Sequence, residues 1–246
     1  MRFLWVLASL CLVTLSATEL SAQTYRDADW NWRGEPNCTP PSRDSIRWMK
    51  QGDRRFLRFQ LRDGEKGNCS TDQDAQHGAK FGKPWSERAE IKGRAFEQPG
   101  VYRVSFDVRF VQGFAHQRKF ATFFQIKDCP DSRVPAMIML GGSTSRPKAG
   151  FSLATGTPGK KYSSRFVSPN PVDNRWHRVE AIFENGTTQA LQVKFDGATW
   201  LPRTTFSNTF LCGKPSFRLG IYRAGDPGKR SHAIVDYDNV QVERIE

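Results

Sequence analysis

The chain has 246 residues, with 37 Lys and Arg against 25 Asp and Glu, a formal net charge of +12 and an aromatic content of 12%. Such a length buries a substantial core without metal or disulfide support and fits one domain better than two. The charge selects anionic partners, while the lack of a polybasic tail or a basic amphipathic helix, in a chain that begins with an export signal, argues against nucleic acid.

In chain order, Arg2 and the apolar run Phe3 to Leu15 come first, followed by small residues through Ala22. This is the pattern of a signal peptide over residues 1–22, too short an apolar core to span a bilayer. No later segment approaches the roughly 20 apolar residues of a spanning helix. Residues 23–246 are therefore expected as a single domain, secreted or periplasmic, not inserted in a membrane and monomeric. Cleavage removes Arg2 and Glu19, one charge of each sign, so the basic excess is unchanged.

Residues 24–45 read as an irregular lead-in containing Trp30, Trp32, Cys38 and Pro40-Pro41. Cys11 leaves with the signal, and Cys38, Cys69, Cys129 and Cys212 remain, an even number in an oxidising compartment. Three pairings are possible. Cys38–Cys69 with Cys129–Cys212 is expected, since each first member has a partner in its own region.

Strand signals follow. Arg54–Leu61 alternates around Phe56, Leu57 and Phe59, and Val101–Val111 sets Tyr102, Val104, Phe106, Val108 and Phe110 against Arg103, Ser105, Asp107 and Arg109. Lys119–Lys127, Val134–Leu140, Trp176–Glu184, Ala190–Phe195, Ser216–Tyr222 and Ala233–Arg244 continue the series, and Lys194–Trp200 reads as a strand running into a turn. Gly141-Gly142-Ser143, Gly156–Gly159, Glu184-Asn185-Gly186 and Asp226-Pro227-Gly228 read as turns. No long capped helical period occurs, which predicts an all-β sandwich or jelly roll of antiparallel strands.

Three segments carry chemistry. In Ser86–Lys92, Arg88, Glu90 and Lys92 share one strand face, an acid held ionised between two cations; a surface ion-pair ladder is the structural alternative. In Phe123–Lys127, Gln125 and Lys127 share a face, and an amide with an ammonium can grip a carboxylate. In Phe217–Arg223, Arg218, Gly220 and Tyr222 share a face: a cation, a gap that admits a sugar ring, and a phenol. Arg223 adds a further cation.

Taken in this order, Arg88-x-Glu90-Ile91-Lys92, Gln125-Ile126-Lys127 and Phe217-Arg218-x-Gly220-Ile221-Tyr222-Arg223 resemble the motif series of jelly-roll polysaccharide lyases. Alginate lyases of that fold carry Arg-x-Glu-Leu-Arg-like, Gln-Ile-His-like and Tyr-x-Lys-x-Gly-x-Tyr-like strands. The heparin-lyase-like and glucuronan-lyase-like group is more similar, through Gly220-Ile221-Tyr222-Arg223, the strand beginning Ala233-Ile234-Val235-Asp236, Trp176–Val179 and the Asp196-Gly197 turn. The likeness runs from about residue 85 to the C-terminus.

The resemblance implies a concanavalin-like β-jelly-roll sandwich and β-elimination on a uronate-containing acidic polysaccharide. Gln125 and Arg88 would neutralise the C6 carboxylate, and Tyr222 would protonate the departing oxygen. Glu90, Lys92, Arg218 and Arg223 would bind substrate. Lys127 stands where the pattern has histidine. It serves as the base if burial and neighbouring cations depress its pKa; otherwise it pairs with the carboxylate, and Tyr222 or His116 abstracts the proton. Phe217 in place of the last motif's first tyrosine argues against alginate.

No cofactor is expected. Asp236-x-Asp238-Asn239 is the one cluster open to a hard cation such as calcium, with a strand-end turn as its structural alternative. A non-catalytic, lectin-like module for acidic glycans is the alternative function.

Overall fold

The alternation in Val101–Val111 fixes which side of a strand meets the core. In the computed structural model this run lies in strand β5 (Gly100–Gln112), where Val104, Phe106, Val108 and Phe110 are wholly buried. The structure describes residues 25, 27, 30–69, 72, 85–112, 121–127, 138–142, 150–155, 163–169, 173–206, 215–225 and 232–246. The three strands between 138 and 169 are described by their backbone alone. The proposed signal peptide, His116, Cys129, Cys212 and the turns at 156–159 and 226–228 lie outside the described residues.

The remaining strands are β1 (Glu35–Pro36), β2 (Ile46–Gln51), β3 (Arg54–Leu61), β4 (Ser86–Ala95), β6 (Ala121–Lys127), β7 (Ile138–Gly142), β8 (Gly150–Thr155), β9 (Ser163–Pro169), β10 (Trp176–Asn185), β11 (Gln189–Phe195), β12 (Ala198–Phe206), β13 (Ser216–Ala224) and β14 (Ala233–Arg244). They form two seven-stranded antiparallel sheets, ordered β1-β4-β13-β6-β7-β8-β9 and β12-β11-β10-β5-β14-β3-β2. The molecule is thus an all-β, jelly-roll sandwich, as its strand spacing predicts. Its core is an aromatic layer between the sheets. Phe124 and Phe217 from the first meet Phe106 of the second, which in turn meets Tyr237, itself edge-on to Phe59. Burying such side chains contributes roughly 1.5–3 kcal/mol each.

Four details depart from the sequence reading. The lead-in is part of the fold: Tyr25 bridges Gly34, and Trp30 and Trp32 are buried in the core. Gly141 and Gly142 pair with Thr122 and Ala121 inside β7 and do not form a turn. Lys194–Trp200 turns and then continues. Asp196 and Gly197 both take positive φ, 49° and 77°, the two-residue hairpin geometry that joins β11 to β12. Asp236 and Asp238 lie within β14 and not at its end; a register shift follows Asp238, and Asn239 has φ 48°.

Candidate active site

β13 lies between β4 and β6, and this order brings the three chemical segments together. Tyr222 stands opposite Arg88, Gly220 opposite Glu90, and Arg218 opposite both Lys92 and Gln125. Directly opposed residues on neighbouring strands lie about 4.5–5.5 Å apart. Odd-numbered Phe217, Leu219 and Ile221 point into the core, so Arg218 and Tyr222 point to the face turned away from it.

Glu90 organises that face. One of its oxygens accepts from Gln125 Nε2 in a short hydrogen bond. The other accepts from Arg88 Nη1 at 2.5 Å and from Asn37 Nδ2 at 3.2 Å. Arg88 donates Nε and Nη2 to the two oxygens of Asp72, each at 2.8 Å, and its guanidinium lies 3.7 Å over the Tyr222 ring. Arg88 and Glu90 are under 10% exposed and Asp72 is wholly buried. Removing one member of such a network would strand a buried charge, a loss of about 3–5 kcal/mol.

Charge is unevenly shared. Burial alone would lower the Arg88 pKa, but the Glu90 and Asp72 carboxylates outweigh it and raise it. Arg218 fares differently. Burial, only partly offset by Glu90, and repulsion from Arg88 take it down to about 10, and its Nε has no hydrogen-bond partner among the described residues. Lys127 is pushed down to about 8 by burial, then by Arg218 and Arg88, against the pull of Glu90 and Asp72. Burial raises the Tyr222 phenol, against the pull of Arg88. Its hydroxyl lies 3.5 Å from Ser86 Oγ. The face therefore offers an arginine paired with two carboxylates, a second with an unpartnered Nε, a lysine whose pKa is lowered to about 8 and a protonated phenol.

The structure unites Arg88, Glu90, Gln125, Lys127, Arg218 and Tyr222. Lys92 stands farther along β4, paired with Glu35 at 3.4 Å. Arg223 belongs elsewhere. It shares the inward parity of Ile221, is 0% exposed, and its Nε contacts Glu87 at 2.5 Å while Nη2 reaches the carbonyls of Leu61 and Arg62. An arginine so placed holds the sandwich and meets no ligand, which corrects its expected role in substrate binding.

Gly220 is also reinterpreted. Its φ is 133°, and a Cβ there would clash with the Ala89 carbonyl and come within 2.8 Å of Glu90 Cα. The positive φ and the close backbone of β4 demand the glycine, which lies where the pairing of β13 with β6 shifts register. Phe217 is a core residue, so the position facing the site at the start of β13 is Ser216. The phenol is absent there, but at a different residue from the one expected.

Sequence reasoning missed Asn37 and Asp72. Each adjoins the Cys38–Cys69 disulfide, which forms as expected: Asn37 precedes Cys38, and Asp72 N–H donates to the Cys69 carbonyl at 2.9 Å. The Asn37 amide is buried and committed to Glu90. The proposed cation cluster is taken too. Asp236 accepts from Arg58 and Arg109 and Asp238 from Arg54, so guanidinium groups already supply the positive charge that a metal would bring. No group of His, Cys, Asp or Glu suited to a metal occurs among the described residues.

No protein-family profile matches the chain, and no curated protein matches its sequence. Solved structures match its fold. Alginate lyase A1-II', described as a member of polysaccharide lyase family 7, has a TM-score of 0.57 at 11% identity, over 82% of this chain and 84% of its own. Alginate lyase PA1167 from Pseudomonas aeruginosa has 0.56 at 10%, over 83% and 88%. The marine family 7 alginate lyase AlyA1 from Zobellia galactanivorans has 0.53 at 14%, over 93% and 85%. The chain is therefore similar in fold to the jelly-roll alginate lyases, in agreement with the more distant of the two resemblances drawn from its motifs.

Proposed function

We propose that residues 23–246 form an exported polysaccharide lyase that cleaves uronate-containing acidic polysaccharide by β-elimination. One observation carries this reading: Arg218, Lys127, Gln125 and Tyr222 share a buried face organised by the Glu90–Arg88–Asp72 network. Arg88 is already paired with two carboxylates, so Arg218 takes the substrate carboxylate, with a remaining Gln125 amide hydrogen beside it. This pairing makes the C5 proton more acidic and stabilises the enolate-like intermediate, a contribution on the order of 3 kcal/mol.

Lys127, neutral above about pH 8, removes the C5 proton. The electron pair becomes the C4–C5 double bond, and the C4–O4 bond breaks. Tyr222 gives its hydroxyl proton to the departing O4 and is reprotonated through solvent from the Lys127 ammonium. The raised Tyr222 pKa keeps the phenol protonated for this step.

The products absorb in the ultraviolet, so the chain incubated with glucuronan, alginate, pectate and glycosaminoglycans gives a direct assay. At least one polymer is expected to yield unsaturated uronide, and Tyr222→Phe is expected to lower kcat by roughly 100-fold or more with binding retained. Silence across the panel overturns the reading. Binding without turnover, unchanged in Tyr222→Phe, establishes the lectin-like alternative.

A further inference from the structure

We infer that Asp72, brought to Arg88 beside the Cys38–Cys69 bridge, is a positioning residue that sets the charge balance of the site. Its carboxylate is wholly buried and gives both oxygens to one guanidinium. Nothing about residues 70–84 in sequence marks it for this place. The bridge supplies the reason, since it joins positions 31 apart and holds the backbone from which Asp72 projects. Gly67 makes room for the contact; a Cβ there would come within 2.8 Å of Arg88 Cβ and 2.6 Å of the Asp72 carboxyl carbon. On the other side of the bridge, Asn37 holds Glu90. One covalent closure thus supports both carboxylates that grip Arg88.

The consequence is electrostatic. The charges facing Lys127 are Arg88 and Glu90 from β4, Arg218 from β13, and Asp72 from the bridged segment. With Asp72 present, two anions oppose three cations. Without it, Glu90 alone opposes Arg88, Arg218 and Lys127, and the lysine releases its proton more readily. Arg88 also loses the two-pronged contact that keeps its plane over the Tyr222 ring. Asp72 touches neither the proton nor the substrate; it acts through its charge on Lys127 and through its hold on Arg88.

The catalytic meaning of this inference rests on the lyase reading, but its test need not. Lysine side-chain NMR of the full chain, with the Lys127 signal assigned by its loss in Lys127→Met, gives the titration midpoint directly. In Asp72→Asn that midpoint is expected to fall, by on the order of one pH unit for removal of a close opposite charge. The rising limb of kcat/KM against pH is expected to move in the same direction, and Asp72→Glu to restore both in part. A purely structural Asp72 would lower the melting temperature and leave the midpoint in place, and that result overturns the inference. Should Asp72→Asn fail to fold, the double variant Cys38→Ser/Cys69→Ser, which frees the segment with Asp72 intact, must move the midpoint the same way or the inference fails. Absence of turnover in the unaltered chain sinks the lyase reading alone, because the Lys127 titration still decides the role of Asp72.

Discussion

Lys127 carries an amine, whose ordinary pKa lies near 10.4, where the lyase pattern that the chain resembles has an imidazole, ordinarily near 6.5. The site closes part of that gap: burial and the nearby Arg218 and Arg88 take the lysine to about 8. The profile of kcat/KM reports the free enzyme's essential groups. If Lys127 is the base, kcat/KM should rise with pH through about 8 and hold until the raised Tyr222 phenol ionises. If the ammonium instead binds the substrate carboxylate, kcat/KM should fall through the same range, which would remove Lys127 from the proposed step. Folding carries the same signature. The folded-state pKa lies below the unfolded one, so the unfolded chain binds more protons between about 8 and 10.5, and this group's contribution to stability rises with pH across that window.

At the scale of strands, the site depends on an irregularity between β6 and β13. Pairing shifts between Leu219 and Tyr222 on one strand and near Phe123 on the other. Phe123 and Phe124 consequently both reach the core, where they meet Phe110 and Phe106. Tyr237, from the opposite sheet, secures the shift by donating its hydroxyl to the Phe123 carbonyl at 2.6 Å and accepting from Gly220 N–H at 3.4 Å. Tyr237→Phe should leave that carbonyl unsatisfied and cost about 1–3 kcal/mol in urea unfolding. It should also lower kcat, because Gln125 and Lys127 follow the shifted register while Tyr222 does not. A loss of stability with kcat unchanged would show that the irregularity serves packing alone. Much of this level was legible in sequence. Period-two alternation gave β5 and the faces of β4 and β13, since each side of a strand meets one environment. The same parity places Arg223 beside Ile221 in the core, although its charge suggested a ligand. Gly220 was found for the wrong reason, because a bulge and an opening leave the same residue type behind. Asn37 and Asp72 were illegible: a covalent bridge places them, and no periodicity points to it.

At the scale of the molecule, the net charge of +12 and the buried site act on a polyanion at different stages. Exposed cations attract the polymer over distances comparable to the Debye length, about 10 Å at 0.1 M salt, so added salt screens them. The groups proposed to act on the bond are otherwise placed: Gln125, Arg218 and Tyr222 are each no more than 9% exposed and Lys127 is half-buried, and buried pairs are screened far less. Raising sodium chloride from low concentration to about 0.5 M should therefore raise KM for the polymer and leave kcat nearly unchanged. A short oligouronide, which spans fewer of the surface charges, should show a weaker dependence than the polymer. If kcat falls as steeply as kcat/KM, the catalytic charges themselves are exposed to solvent ions during turnover. The buried face built on Glu90, Arg88 and Asp72 would then have to open when substrate binds.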